Sequence, residues 1–180
     1  DEDVLAAGAQ VAQFLQLIHR AVHRYQAQAG RAAAGQVVHV QRAEDALAGS
    51  GWEIVVTQQA DWARDKGQSV AETILQANPD ITLIYGQNDE MALGAYQAVS
   101  DRGMADKVKV VGLDGVKAAL ESIKAGELTG TMNVVPKQMG CQLIKDIIAV
   151  AEGGSVPQID DIDVHVTDAS NVDEDMKAFE

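Results

Sequence analysis

Five side chains stand within or just after runs rich in Val, Ile or Thr: Trp62, Asn88, Asp89, Asp114 and Asn133. A planar amide donates and accepts hydrogen bonds in one plane, a carboxylate only accepts, and an indole offers a flat apolar face. A ring carrying several hydroxyls needs both kinds of group, polar ones for its equatorial hydroxyls and a flat one for its C–H face. Each residue also has a plainer role. Asp89 and Asp114 stand where helix N-caps are common, Asn88 suits a turn, and a Trp after a strand usually packs.

Other chemistry does not assemble. Gly112-Leu113-Asp114-Gly115 has neither of the phosphate-loop spacings, and there is no G-x-S-x-G elbow for a nucleophile. His19 and His23 are four apart but lack the glutamate of a zinc helix, and Cys141 and His165 have no partners at ligand spacing. The acids Asp160, Asp161, Asp163, Asp173, Glu174 and Asp175 invite a calcium reading. A calcium loop started at Asn171 would put Met176 where glycine is needed, so a solvated acidic surface is the expectation. Neither a metal nor a cofactor is expected.

Positioning these residues requires an alternation of strands and helices. Strands are expected at Glu53–Thr57, Ile81–Tyr85, Val108–Leu113, Thr129–Val134 and Ile162–Val166. Helices are expected between them at Lys66–Ala77, Glu90–Arg102, Val116–Ala125 and Lys137–Glu152. Asn78-Pro79, Gly103, Gly126 and Gly153-Gly154 supply the stops. The fold class is α/β, a three-layer α/β/α arrangement on a parallel sheet, in which ligands bind beyond the carboxyl ends of the strands.

Residues 1–43 read differently, with a helix at Val4–Gln28 and a short strand at Val37–Val40. They hold three acids and four arginines, for a charge of +1, whereas residues 44–180 hold 24 acids against 10 Lys and Arg, for −14. The whole chain has 180 residues, 47% of them hydrophobic, and a net charge of −13. That charge argues against nucleic acid as a partner. Cys141, the single cysteine, can close no internal disulfide and is expected to be a buried helix residue. The acidic start Asp1-Glu2-Asp3 is unlike a secretory leader.

The blocks ITLIYGQNDEMALGAY, from Ile81, and VKVVGLDGVKAALESIKAGELTGTMNVVPKQMG, from Val108, resemble the C-terminal lobe of the ribose/galactose-type periplasmic binding proteins. These are type I solute-binding components of sugar ABC importers, with Rossmann-like lobes. The resemblance covers about residues 44–172 and divides the chain into a poorly matching segment, 1–43, and a sugar-binding lobe, 44–180. It implies a monosaccharide or polyol ligand, a membrane permease as partner, and a periplasmic location, or a lipid-anchored extracellular one in a Gram-positive source. Enzymatic activity is not expected.

Residue by residue, the resemblance implies that Asn88 and Asp114 bond sugar hydroxyls and that Trp62 stacks on the ring. Asp89 becomes a cap beside the site. The family's amide before the proline falls on Val134 in an ungapped alignment, with Asn133 next to it as the remaining candidate. The arginine-bearing segment of the family has no counterpart here, Arg42 being a weak substitute. The N-terminal lobe has no counterpart either, and residues 1–43 are read as a truncated or frame-shifted remnant. Closure of the clamp on ligand would be impaired. The apolar face of Lys137–Glu152, with Met139, Leu143, Ile147 and Val150, would lose its usual cover; the Val4–Gln28 helix could replace it, and otherwise the chain should self-associate. Two other readings compete: the effector domain of a sugar-responsive transcription regulator, for which no DNA-reading helix pair is evident, and an α/β enzyme using Asp89 or Asp114.

Overall fold

A computed structural model describes Gln13, Gln16, Asp45 and residues 47–157 and 164–180. Of the expected Val4–Gln28 helix only Gln13 and Gln16 are described, both helical; the rest of it, the Val37–Val40 strand, Asp160, Asp161 and Asp163 lie outside these residues. So does the start of the strand expected at Ile162.

Helix α1 (Arg64–Ala77) is followed by β1 (Leu83–Tyr85), α2 (Asp89–Asp101), β2 (Lys109–Asp114), α3 (Lys117–Lys124), β3 (Gly130–Asn133) and α4 (Pro136–Ala151). The chain ends with β4 (His165–Asp168), α5 (Val172–Met176) and a short 3-10 turn. The sheet order is β1-β2-β3-β4. The first three strands are parallel, Tyr85 opposite Val111 and Asp114 opposite Asn133. The last strand runs antiparallel to β3. The α/β class stands as expected, with a reversed strand closing one edge.

Alternate residues of β2 go to opposite faces, as the pleat dictates. Val110 joins Leu75 of α1, Val99 of α2 and Leu120 and Ile123 of α3 on one face. Val111 joins Leu47, Met132 and Val164 on the other. Each of the large aliphatic side chains buried here contributes roughly 1.5–3 kcal/mol. The first face carries a full helical layer.

The α1–α2 pair approaches backbone to backbone because glycines stand at the crossing. A Cβ on Gly94 would lie 2.0 Å from the Arg64 carbonyl oxygen, and one on Gly67 would lie 2.6 Å from that of Met91. These obstacles are main chain and cannot swing away. Gly94→Ala is therefore expected to destabilise by about 3 kcal/mol, the upper end of the usual overpacking range. Urea denaturation measures it, and a loss under about 0.5 kcal/mol would contradict this packing.

Three expectations are corrected. Glu53–Thr57 is not a strand, and it pairs with none of the described strands. Cys141 is exposed, not buried. It lies on α4, none of whose residues is buried, because no described element covers that helix. Asp114 caps no helix, because the residue before α3 is Val116. Met139, Leu143, Ile144, Ile147, Ile148 and Val150 of α4 are all exposed. None of the described helices is long and apolar enough to cross a membrane.

Candidate functional site

The carboxyl ends of the three parallel strands converge on one rim. Gly86-Gln87-Asn88 follows β1, Asp114 closes β2 and Asn133 closes β3. The loop before α1 brings Trp62 to the same rim, since the Asn88 Nδ2 donates to the Trp62 carbonyl at 3.1 Å. Asn88 also caps α2, its Oδ1 accepting from the Met91 amide at 2.8 Å. A side-chain amide has two donor hydrogens and two acceptor lone pairs, so Asn88 keeps one of each for a further partner.

Trp62 is 44% exposed and sits in the left-handed region at φ 61°, beside Asp61 at φ 48°. With the Ala63 amide donating to the Ala60 carbonyl at 3.0 Å, the two residues form the centre of a turn with both φ positive. Such a conformation costs a non-glycine residue roughly 1–2 kcal/mol. Strain of this sort persists where the surroundings impose it, and here Asn88 supplies the tie. The bond fixes the backbone that carries the partly exposed indole.

Asp89 is the centre of the rim and is fully buried, at 0% exposure. One carboxylate oxygen accepts from the Gly115 amide at 2.8 Å and the Val116 amide at 2.9 Å; the other accepts from the Thr131 hydroxyl at 2.6 Å. One side chain on α2 thus fixes the start of α3 and the middle of β3. Burial raises its pKa, while the hydroxyl and the two amides pull the other way. Gly112 makes room for it, since a Cβ there would lie 2.2 Å from the Asp89 Oδ1. Asp89 is not the N-cap of α2, which is Asn88; its carboxylate instead holds the backbone ahead of α3.

Asp114 is partly exposed, with φ 136°, a backbone that L residues rarely adopt. Burial pushes its carboxyl up to about 6, the negative field of Asp89 adds to the rise, and the Asp89 backbone N–H opposes it. The same burial and the two carboxylates raise the pKa of the Tyr85 phenol.

Asn133 is only 4% exposed, and both its polar atoms are engaged. Its Nδ2 donates to the Thr167 hydroxyl at 3.2 Å, and its Oδ1 accepts from the Val135 amide at 2.8 Å. That second bond organises the exit from β3, where Val135 takes φ 47° immediately before Pro136. Val134 is half-buried on the Leu47 face and donates its amide to the Asp114 carbonyl at 3.1 Å. Trp62, Asn88, Asp89 and Asp114 therefore share one rim. Asn133 and Val134 lie behind it.

Some supporting residues had no signal in local sequence. Thr131 is buried against Asp89, and Arg64 holds Glu90 through two bonds of 2.9 Å, joining the starts of α1 and α2 beside the Trp62 turn. Thr167 donates to Asp175, which also lies 3.0 Å from the His165 Nε2. The acids near the C-terminus are largely paired, Asp173 with Lys124 at 2.6 Å and Glu174 with Lys177. Among the described residues no cluster of three or more His, Cys, Asp or Glu could hold a metal ion.

The chain thus presents a largely parallel sheet with amides, carboxylates and an exposed indole at its carboxyl rim. The family model described as periplasmic binding protein domain matches residues 5–155, and the chain belongs to that family. The D-allose-binding periplasmic protein of Escherichia coli is 40% identical over 108 residues, or 60% of this chain and 35% of that protein. The ribose import binding protein of Salmonella typhimurium is 37% identical over 113 residues, or 63% and 38%. Among solved structures, a periplasmic solute binding protein of an ABC transporter from Actinobacillus succinogenes, with bound D-allose, superposes with a TM-score of 0.76 at 27% identity. That likeness covers 90% of this chain and 62% of the other. The chain thus spans well under half the length of the relatives it matches by sequence.

Proposed function

We propose that this chain is the ligand-holding lobe of the solute-binding component of an ABC sugar importer, binding a monosaccharide or polyol without covalent chemistry. The observation that carries the proposal is the rim itself: an exposed Trp62 whose backbone carbonyl is tied to the Asn88 side chain, with the Asp114 carboxylate on the next strand. Trp62 stacks on the C–H face of the sugar, Asn88 uses its remaining donor and acceptor on hydroxyls, and Asp114 accepts from hydroxyls. Asn133 shapes the rim from behind. The named relatives bind allose or ribose, which supports a small sugar as ligand. In this reading the protein works outside the cytoplasmic membrane, periplasmic or extracellular, and delivers to a membrane permease.

A thermal-shift screen against pentoses, hexoses, inositols and sugar alcohols tests this, because a ligand that binds only the folded state raises the melting temperature. At least one of these compounds is expected to stabilise the protein, and Trp62→Ala is expected to abolish the shift, the stacked face being worth about 1–3 kcal/mol. Absence of any shift across the panel would remove the sugar-binding reading. Incubated sugars recovered unchanged support binding over turnover, and a new product would overturn it.

The open stripe on α4 supports self-association through that helix, its Leu143 being 58% exposed. Sedimentation velocity should show a dimer or larger species that Leu143→Glu with Ile147→Glu returns to monomer. A monomer at all concentrations would contradict it.

A further inference from the structure

Asp175 stands apart from the other acids of α5. Its side chain is only 15% exposed, and both of its carboxylate oxygens lie 3.0 Å from the His165 Nε2. The Thr167 hydroxyl donates to one of them. Thr167 is fully buried, and its oxygen accepts from the Asn133 Nδ2 at 3.2 Å. The antiparallel register sets Asn133 opposite His165 and Thr131 opposite Thr167, so these four side chains stand together on one face of the sheet. A polar line therefore runs from α5 through β4 to the last residue of β3.

The line has a direction. The Val135 amide donates to the Asn133 Oδ1 at 2.8 Å, which turns the Asn133 NH2 toward Thr167. The Thr167 oxygen must then accept, and its one hydrogen must go elsewhere. An ionised carboxylate only accepts, so Asp175 takes that hydrogen and fixes the sense of every bond behind it. Without the carboxylate, the Thr167 hydroxyl is free to turn back on Asn133, which favours a flipped amide. A flipped amide sets its NH2 against the Val135 N–H, donor against donor.

The far end of the line touches the backbone that carries Asp114. Asn133 pairs with Asp114 in the register, the Asp114 carbonyl accepts from the Val134 amide at 3.1 Å, and a Cβ on Gly115 would lie 2.1 Å from the Asn133 Oδ1. Asp114 itself takes φ 136°, a conformation that persists in an L residue only where its surroundings impose it. We infer that Asp175 is a positioning residue of the rim: through Thr167 it sets the Asn133 amide, and through Asn133 the backbone that presents Asp114. Its effect on ligand rests on the sugar-binding reading above, and its effect on Asn133 does not.

Amide exchange by NMR on the ligand-free chain tests this, together with titration calorimetry using the sugar found by the screen. Asp175→Ala and Thr167→Val are each expected to speed exchange of the Val135 amide by about 3–10-fold relative to the Leu120 amide in the core, and to weaken sugar binding by a similar factor, the worth of one ordinary hydrogen bond. The Asp114 and Gly115 amide resonances are expected to move in the same two variants. Asp175→Asn keeps an acceptor oxygen and should recover most of both effects. Asp173→Ala is the control, because it unties α5 from Lys124 without touching the line, and it should change neither quantity by more than about twofold. If Asp175→Ala does not fold, Thr167→Val carries the comparison. Val135 exchange that merely follows Leu120, or an equal effect of Asp173→Ala, would overturn the inference. So would faster Val135 exchange at unchanged sugar affinity. If no sugar binds the wild type, the sugar-binding reading falls, and the exchange rates and resonances still support or overturn the role of Asp175.

Discussion

Asp89→Ala is expected to lower the unfolding free energy by roughly 3–5 kcal/mol, a large part of the stability of an ordinary domain. The substitution leaves the Gly115 and Val116 amides and the Thr131 hydroxyl without their acceptor. Each buried donor deprived of its partner costs about 1–3 kcal/mol, and the space vacated beside Gly112 adds to the loss. Asp89→Asn retains the size and one acceptor oxygen, so it should lose about half as much. Chemical denaturation of the three proteins measures the series. A loss below about 1 kcal/mol for Asp89→Ala would show that other acceptors replace the carboxylate. The effect on ligand follows from the same geometry, because the Gly115–Val116 amides fix the backbone on which Asp114 is presented.

Asp114 is expected to govern pH dependence, in opposite senses for folding and for binding. Its carboxyl is raised to about 6 in the folded protein, above its ordinary 3.8. The folded state therefore holds a proton that the unfolded state has released between those two values. The stabilisation is fully present below about pH 4 and is lost as pH rises through about 6. A two-unit rise corresponds to about 2.7 kcal/mol for a sheltered group, and partial solvent screening of this rim reduces it to about 1–2 kcal/mol. Asp114→Asn should accordingly be more stable than wild type at pH 8 by that amount and nearly equal at pH 4. Melting curves at the two pH values check the difference; equal offsets at both would contradict it. Sugar binding should move the other way. The ionised carboxylate is the stronger acceptor, so affinity is expected to rise between pH 5 and 7, and Asp114→Asn should bind about 10–100-fold more weakly at pH 7, the worth of a charge-assisted hydrogen bond. Titration calorimetry with the sugar found by the screen measures both.

Much of this architecture could be read without coordinates. The apolar runs at Ile81–Tyr85, Val108–Leu113 and Thr129–Val134 are strands within a residue or two, because a strand buried on both faces leaves a continuous apolar signature. The helices between them begin and end near Asn78, Gly103 and Gly126, where backbone chemistry forces a stop. The rim residues were also legible as types, since parallel strands deliver whatever follows them to one end of the sheet. Their division of labour was not. Asn88, Asp89 and Asp114 look alike as cap candidates, and only the packing makes Asn88 the cap of α2, Asp89 the acceptor for α3 and β3, and Asp114 a cap for neither. Asn133 stands in a rim position by sequence, yet its side chain turns inward to Thr167.

The sequence by itself determined the α/β class, the order of its elements and the rim on which Trp62, Asn88 and Asp114 meet, because those follow from local pattern and strand direction. Only the tertiary structure decided that Glu53–Thr57 is no strand, that Cys141 is exposed and that β4 runs backwards. The reason is common to all three. A strand, a buried face and a strand direction are completed by a neighbour, and the identity or absence of that neighbour is not written in the segment itself.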